Sequence, residues 1–575
     1  MKKKQLFIFA ALLLFSLMIR FSLGTLPFLN GKYIYWLFVI AAGSLAFLFQ
    51  ERNRKWIINR FDICVFILFC MGLWNFIYLS NAKVFNLKVW NIIAYLLLYI
   101  ILRQSLHDKN TILGITKTVF QLLFFAAMLN AVIAILQKIQ LVSSANEYFQ
   151  VTGLFYSPNH LALFLAIGIL SLIELIKSNN SLLSKILFYI CFVILIYSLY
   201  LTKCRGAYTA LFIAILFNII NFKKGNKESN IFKKALYTFA ILVSLLAVVW
   251  NINRSKSESV SGRFFIIKQS LAQLENRFFT GYGFDSFSLR YNLAKADYFT
   301  VERSWEEMRN AGYIYNANND FLELSYELGI LWITVFFIFI IMLFSKVNSN
   351  TTKTRSSVVL CIIIFSFTNT ILPLPLFVVL GCVFAVFIIN ETKTKSVFSL
   401  KQNNLFTLIS FIFLVTFSTI IVLRLNAEYK LKEIYNKEKV FSLKKTENYV
   451  SKIDANGEQL FIAGIIFFKN NYTNVGIGYL TSGFKQSGKP SLGKKLAKLF
   501  ERMGNFAKAE KIYIYNKNVE PYRFDARMDL FDLYLKTNQK EKAREIAQEI
   551  LSLPIKIPSK KTELFKERAK KYLRK

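Results

Sequence analysis

The sequence predicts an all-α polytopic membrane protein of about 12–13 transmembrane helices, with one long outer loop and a helical domain at its C-terminus. Three observations predict it. The chain is 55% hydrophobic with a mean hydropathy of +0.41, and 58 of its 575 residues are Phe. Apolar runs of bilayer-crossing length recur from the start to about residue 424. The cations sort by loop instead of gathering in one patch.

The spans read as roughly 5–23, 33–49, 61–80, 89–103, 115–137, 159–176, 186–202, 206–221, 235–251, 321–345, 356–372, 374–391 and 404–424. The opening "MKKKQLFIFAALLLFSL" has a basic head and an apolar body without a clear cleavage site, so it reads as an uncleaved first span. With the N-terminus inside, the inner loops carry most of the lysine and arginine, including Arg52, Arg54, Arg60, Arg103, Lys177, Lys223, Lys224, Lys353 and Arg355. The short outer loops carry only Lys32, Lys83, Lys88, Lys138, Lys203 and Arg205. That asymmetry is the positive-inside pattern, and it accounts for much of the +38 net charge without nucleic acid. The same count places the loop at 252–320 and everything after a thirteenth span outside. All six cysteines lie in or beside apolar runs, which gives no disulfide framework.

Residues 1–424 therefore form the transmembrane domain, 425–490 a helical connector, and 491–575 a helical-repeat domain. In the last segment "MGNFAKAEKIYIYNKNVEP" and "TNQKEKAREIAQEILSLP" align, with Ala509 and Ala543 34 residues apart and Pro521 and Pro554 closing each unit. This resembles the tetratricopeptide repeat, whose small Ala lets paired helices approach and whose Pro ends the second helix. Such a stack implies a docking surface for a protein partner or an acceptor, or a helical spacer.

Arg205, in "LTKCRGAYTALF", stands at an outer span end where cations are scarce. It either snorkels or meets an anion. Arg263, in "SVSGRFFIIKQSLAQL", reads as lying in the first turn of a helix, a position unfavourable for a cation unless an external anion binds there. Arg263, Phe264, Ile267 and Leu271 fit one face. Gly281 and Gly283, in "TGYGFDSF", permit a tight turn or close approach of backbone to a ligand.

Together "GLFYSPNHLALFLA", "TKCRGAYTALF", "SGR…FFTGYGFDSF" and "ANNDFLELSYELGILW" resemble, in order and spacing, the motifs of the O-antigen ligase and polymerase superfamily over roughly residues 120–390. The resemblance implies an integral glycosyltransferase of the bacterial inner membrane, with the active face and the C-terminal domain periplasmic. It implies a donor of glycan on undecaprenyl pyrophosphate, and as acceptor lipid A-core, a growing glycan or a protein. It implies no cofactor and no metal. Arg205 and Arg263, with Gly281 and Gly283, would bind the donor pyrophosphate, and Asn159 and Asn319 would position the acceptor. Membrane lipids would surround the spans. Ligation stands first, with repeat-unit polymerisation or protein O-glycosylation as alternatives, and a non-catalytic lipid-glycan binder or transporter as the alternative of another class.

The sequence departs from the pattern at Asn318, where the family motif begins with the His expected to act as base. An amide has no useful basicity. Three readings follow. Asn318 orients the acceptor hydroxyl while the pyrophosphate leaving group drives the reaction. Alternatively His160, Asp320 or Glu323 is the base. Or the chain binds lipid-linked glycan without transferring it. Asn319 or Asp320 is equally suited to cap the following helix.

Overall fold

The computed structural model describes residues 55–79, 92–219, 257–436 and 441–574, apart from short internal stretches. The spans expected at 5–23, 33–49 and 235–251 lie outside the described residues. Those residues are helical apart from one two-stranded ribbon that the all-α reading lacked: β1 (Lys55–Ile58) pairs antiparallel with β2 (Phe398–Lys401), with Lys55 opposite Lys401 and Ile58 opposite Phe398.

The helices of the apolar part of the chain are α1 (Arg60–Tyr78), α2 (Lys109–Lys138), α3 (Pro158–Ser178), α4 (Leu182–Leu201), α5 (Arg205–Ile219), α10 (Ile330–Phe344), α11 (Asn350–Ser366), α12 (Pro375–Glu391) and α13 (Asn404–Tyr435). Between α5 and α10 come α6 (Ser257–Leu274), α7 (Phe287–Tyr298), α8 (Trp305–Asn310) and α9 (Asp320–Leu328). Among the described residues, four helical stretches are long and apolar enough to cross a membrane: Arg60–Tyr78, Ile112–Lys138, Pro158–Lys177 and Leu182–Leu201. Helices α5, α10 and α12 are apolar but shorter. Helix α3 is buried along most of its length, and with α2, α5, α11 and α12 it forms the main core. By contrast α1 and α4 expose large apolar side chains such as Phe66, Ile77, Leu187 and Val193, as helices facing lipid do.

Two ends of this bundle are chemically distinct. At one end Asn59 caps α1 by accepting from the Phe61 and Asp62 amides. The Asp62 carboxylate returns the bond to the Asn59 amide and also accepts from Tyr99 and, through two guanidinium nitrogens, Arg103. Arg103 also donates to Asn390. Nearby, Lys177 donates to Asn218, Asn218 donates to Thr354 and Ser357, Thr354 donates to Glu174, and Arg355 pairs with Glu391. These are residues of the loops that the charge pattern groups together, and the ribbon joins two more of those loops.

The span expected at 321–345 is broken into α9 and α10 at Gly329, which has φ +83°. The segment Phe278–Gly283 runs against this break: the Tyr282 and Gly283 amides donate to the Tyr326 and Glu327 carbonyls, and the Ile330 amide donates to the Phe278 carbonyl. Asn75 of α1 donates to the carbonyls of both Thr280 and Glu327, tying the seam to the bundle.

After α13 come α14 (Leu443–Lys452), α15 (Gly457–Lys469), α16 (Thr473–Ser487), α17 (Pro490–Arg502), α18 (Phe506–Val519), α19 (Phe524–Lys536), α20 (Lys540–Ser552) and α21 (Lys560–Leu573). They stack as helical hairpins α15–α16, α17–α18 and α19–α20, with α21 against the last. Ala509 and Ala543 are fully buried where the paired helices meet, which is the packing role their small size allows. The stretch read as a connector contains a hairpin of its own. In it α15 and α16 touch backbone to backbone at Gly457, Gly464, Gly476 and Gly483.

The helical domain rests on the long loop. Trp305 and Met308 of α8 pack against its core, Lys556 donates to the Arg309 carbonyl, and Tyr313 donates to the Ser487 carbonyl. Loop and domain are therefore in direct contact.

Candidate functional site

Two of the residues singled out in the sequence, His160 and Asp320, meet at the turn that joins α11 to α12. His160, in the first turn of α3, bonds the Thr370 carbonyl through Nε2 at 3.1 Å. A carbonyl only accepts, so that nitrogen carries the hydrogen. Its ring also lies 6.3 Å from Phe377. Asp320 takes the next two residues of the same turn, accepting from the Ile371 amide at 2.9 Å and the Leu372 amide at 3.4 Å. Gly206 abuts it from a third direction: a Cβ there would stand 2.4 Å from the Thr368 hydroxyl and 2.7 Å from the Asn369 amide. The polar run "SFTNTILPLP" between two apolar spans marks this turn in the sequence, and the sequence reading passed over it.

Arg205 is the first residue of α5, so its charge sits at a helix N-terminus where backbone N–H groups also face outward. Arg263 lies on α6 with part of its side chain exposed. Desolvation of its guanidinium holds it below the ordinary arginine value, the Cys204 thiol opposes this, and Arg205 adds a smaller lowering. Like charges disfavour one another and favour a nearby anion. The expected helix start needs correction. Helix α6 begins at Ser257, so Arg263 lies in its second turn and owes nothing to the first-turn dipole. The face that carries Arg263 is the more exposed one: Phe264 and Leu271 are exposed, whereas Phe265, Ile266, Gln269 and Ser270 are buried.

Gly281 and Gly283 do not serve a phosphate. Both have positive φ, +70° and +100°, but their amides are committed to the Arg277 and Glu327 carbonyls. A Cβ on Gly281 would meet the Glu327 carbonyl oxygen at 2.4 Å. The glycines exist so that two backbones can touch. Glu327 accepts from the Phe287 amide. Glu323 accepts from the Ala317 amide and is buried.

Asn319 is the N-cap of α9, its side chain accepting from the Leu322 amide at 3.1 Å. Asn318, just before it, is exposed and left-handed with φ +52°, its amide donating to the Asn316 side chain. Asn and His are among the few side chains that adopt this backbone readily. Asn159 is half-buried beside His160. Two further residues escaped the sequence reading. Gln137 accepts from the Thr152 and Gly153 amides, and Asn130 accepts from the Leu154 amide, which fixes the approach to α3. Among the described residues no cluster of three His, Cys, Asp or Glu side chains is placed to hold a metal ion.

Below Asp320 and Leu372 opens a cavity of about 320 Å³ between α1, α9, α10, α11 and α12, lined by Leu68, Leu324, Trp332, Phe336 and Ile363 and almost wholly apolar.

Residues 190–337 match the family of O-antigen ligases. The matched region runs from within α4 to within α10. It contains Arg205, Arg263, the Gly281–Gly329 seam and Asn318–Asp320, and it excludes Asn159 and His160. No curated protein matches the chain. The O-antigen ligase region supports a membrane enzyme of the ligase or polymerase type, acting on a lipid-linked glycan and an acceptor.

Lys295 of α7 shows how the loop is closed over this region. It is fully buried and donates to Asn292 and the Gly312 carbonyl. Desolvation pushes it down to about 7, opposed by Glu520 of α18. A lysine depressed in the folded state adds stability that is complete above its unfolded value near 10.5 and is lost as pH falls through about 7. Closure of the 311–315 segment is therefore expected to tighten between pH 7 and 10, by up to about tenfold per pH unit. Hydrogen exchange corrected for intrinsic rates would show this slope, and Lys295→Met should flatten it. An equal slope in both proteins would remove Lys295 as its source.

Proposed function

We propose that the protein transfers a glycan from undecaprenyl pyrophosphate to a hydroxyl acceptor at the outer face of the bacterial inner membrane, with ligation to lipid A-core or another surface acceptor as the first choice. The observation that carries this reading is the presence of Arg205, at the start of α5, and of Arg263 within the region matched to O-antigen ligases. The acceptor oxygen attacks the anomeric carbon as the bond to pyrophosphate breaks, and the hydroxyl proton passes to solvent. Configuration inverts, and undecaprenyl pyrophosphate leaves. The two guanidiniums take the charge that grows on the leaving group. The apolar cavity beneath Asp320 has the chemistry to hold part of the prenyl chain.

Asn318 orients the acceptor hydroxyl, and the leaving group supplies most of the driving force. His160 and Asp320 are both engaged in holding the turn at 370–372, which supports a positioning role for them. The C-terminal hairpins follow the tetratricopeptide pattern and offer a docking face.

Reconstituted protein given lipid-linked glycan should release undecaprenyl pyrophosphate in an acceptor-dependent way. Asn318→His should keep the fold, because His tolerates the left-handed backbone, and should raise the rate by restoring a base. Asn318→Val should destabilise by about 1–2 kcal/mol, since a β-branched side chain resists that conformation. Release absent from every variant, with donor binding still dependent on Arg205 and Arg263, would mean a lipid-glycan binder instead.

A further inference from the structure

The turn between α16 and α17 reaches the candidate site. Gly488 at its centre is left-handed with φ +58°, and its carbonyl accepts from Tyr515. On one side the Ser487 carbonyl accepts from Tyr313 at 2.8 Å. On the other, Lys489 pairs with Glu458 at 2.9 Å and places its ammonium 5.1 Å from the centre of the Tyr315 ring. Tyr313 and Tyr315 meet edge to face at 5.0 Å. They lead directly into Asn318, the exposed residue at the family's base position.

We propose that Lys489 is a positioning residue: from the C-terminal domain it holds the Tyr313–Asn318 segment in place, and that domain is thereby a working part of the site. An ammonium over a ring, anchored by its own carboxylate, fixes the distance between two elements that no covalent turn joins. The Tyr313 bond to the same turn adds a second point and so fixes orientation. The functional half of this proposal rests on the transfer reading above; the mechanical half does not.

The test uses the full chain in proteoliposomes, with two independent readouts. Hydrogen exchange reports whether the segment is held, and acceptor-dependent release of undecaprenyl pyrophosphate reports whether holding it matters. Lys489→Ala should speed exchange of the 313–318 amides about tenfold, and Lys489→Arg should restore protection because the cation over the ring is kept. Acceptor KM should rise about tenfold in Lys489→Ala with donor binding unchanged. Tyr315→Leu removes the partner from the other side, and the double variant should be no worse than the worse single one. Unchanged exchange in both single variants, or strict additivity in the double, would overturn the proposal. Faster exchange rescued by arginine, in a protein that releases no product, would support the clamp and overturn the transfer reading alone.

Discussion

Gly329→Ala is expected to be the most damaging single substitution in the membrane domain. Gly329 adopts φ +83°, where an L side chain is strained by about 1–3 kcal/mol. Strain is the smaller part. The new Cβ would lie 2.1 Å from the Phe279 carbonyl oxygen and 2.5 Å from its carbon, and backbone cannot rotate away as a flexible side chain can. The seam would have to part, which breaks the bonds from Ile330 to Phe278 and from Gly283 to Glu327 and frees the two carbonyls held by Asn75. Buried polar groups left unpaired cost about 1–3 kcal/mol each, so the total should exceed about 4 kcal/mol. Thermal unfolding in detergent and the yield of monodisperse protein would measure it. Gly114→Ala is the control, since a Cβ there meets nothing within 4 Å. Equal stability of the two variants would show that the seam is not closed as described.

Arg205→Ala combined with Arg263→Ala should abolish turnover while sparing the fold. Arg263 is exposed and Arg205 half-buried at a helix start, so neither truncation empties a core position. A hydrogen bond to a charged group is worth about 1.5–3 kcal/mol, which is roughly a tenfold to hundredfold loss per arginine. The pair together should cost at least about a hundredfold in release of undecaprenyl pyrophosphate. Lysine at both positions should recover only part of the rate, because an ammonium lacks the planar fork that grips a phosphate with two bonds. Retention of full activity in the double alanine variant would return both residues to the alternative of interfacial snorkelling. It would also withdraw the observation on which the functional reading rests.

The sequence reading and the structure agree where the signal is local and continuous. The helices read at 159–176, 186–202, 206–221 and 374–391 are observed at Pro158–Ser178, Leu182–Leu201, Arg205–Ile219 and Pro375–Glu391. Apolar runs set the ends of a span wherever polar residues follow. Arg205 stood out in the sequence as a cation at a span end in a short loop poor in charge. Asn319 was legible as a cap, since its residue type and place before a helical run carry that signal.

The remainder was written in contacts between distant parts of the chain. Gly281 and Gly283 looked like a ligand loop, because a glycine pair reports only that backbone comes close, not to what. The partner is the Glu327–Gly329 backbone. His160 and Asp320 looked like bases, because a titratable side chain does not announce its acceptor or donor. Each holds one part of a turn that lies about 50 residues or more away along the chain. Helix α6 starts earlier than its Ser and Gly implied, at Ser257, more than a turn before Arg263. The C-terminal domain read as a docking surface or a spacer and is found resting on the 252–320 loop through Tyr313, Tyr315 and Arg309. Hydropathy and periodicity, which one sequence displays along its length, thus determined the membrane class and the helices. Which residues grip one another across the site was decided only by the tertiary structure. Hydrogen bonds between segments far apart in the chain leave no periodic trace in either segment alone.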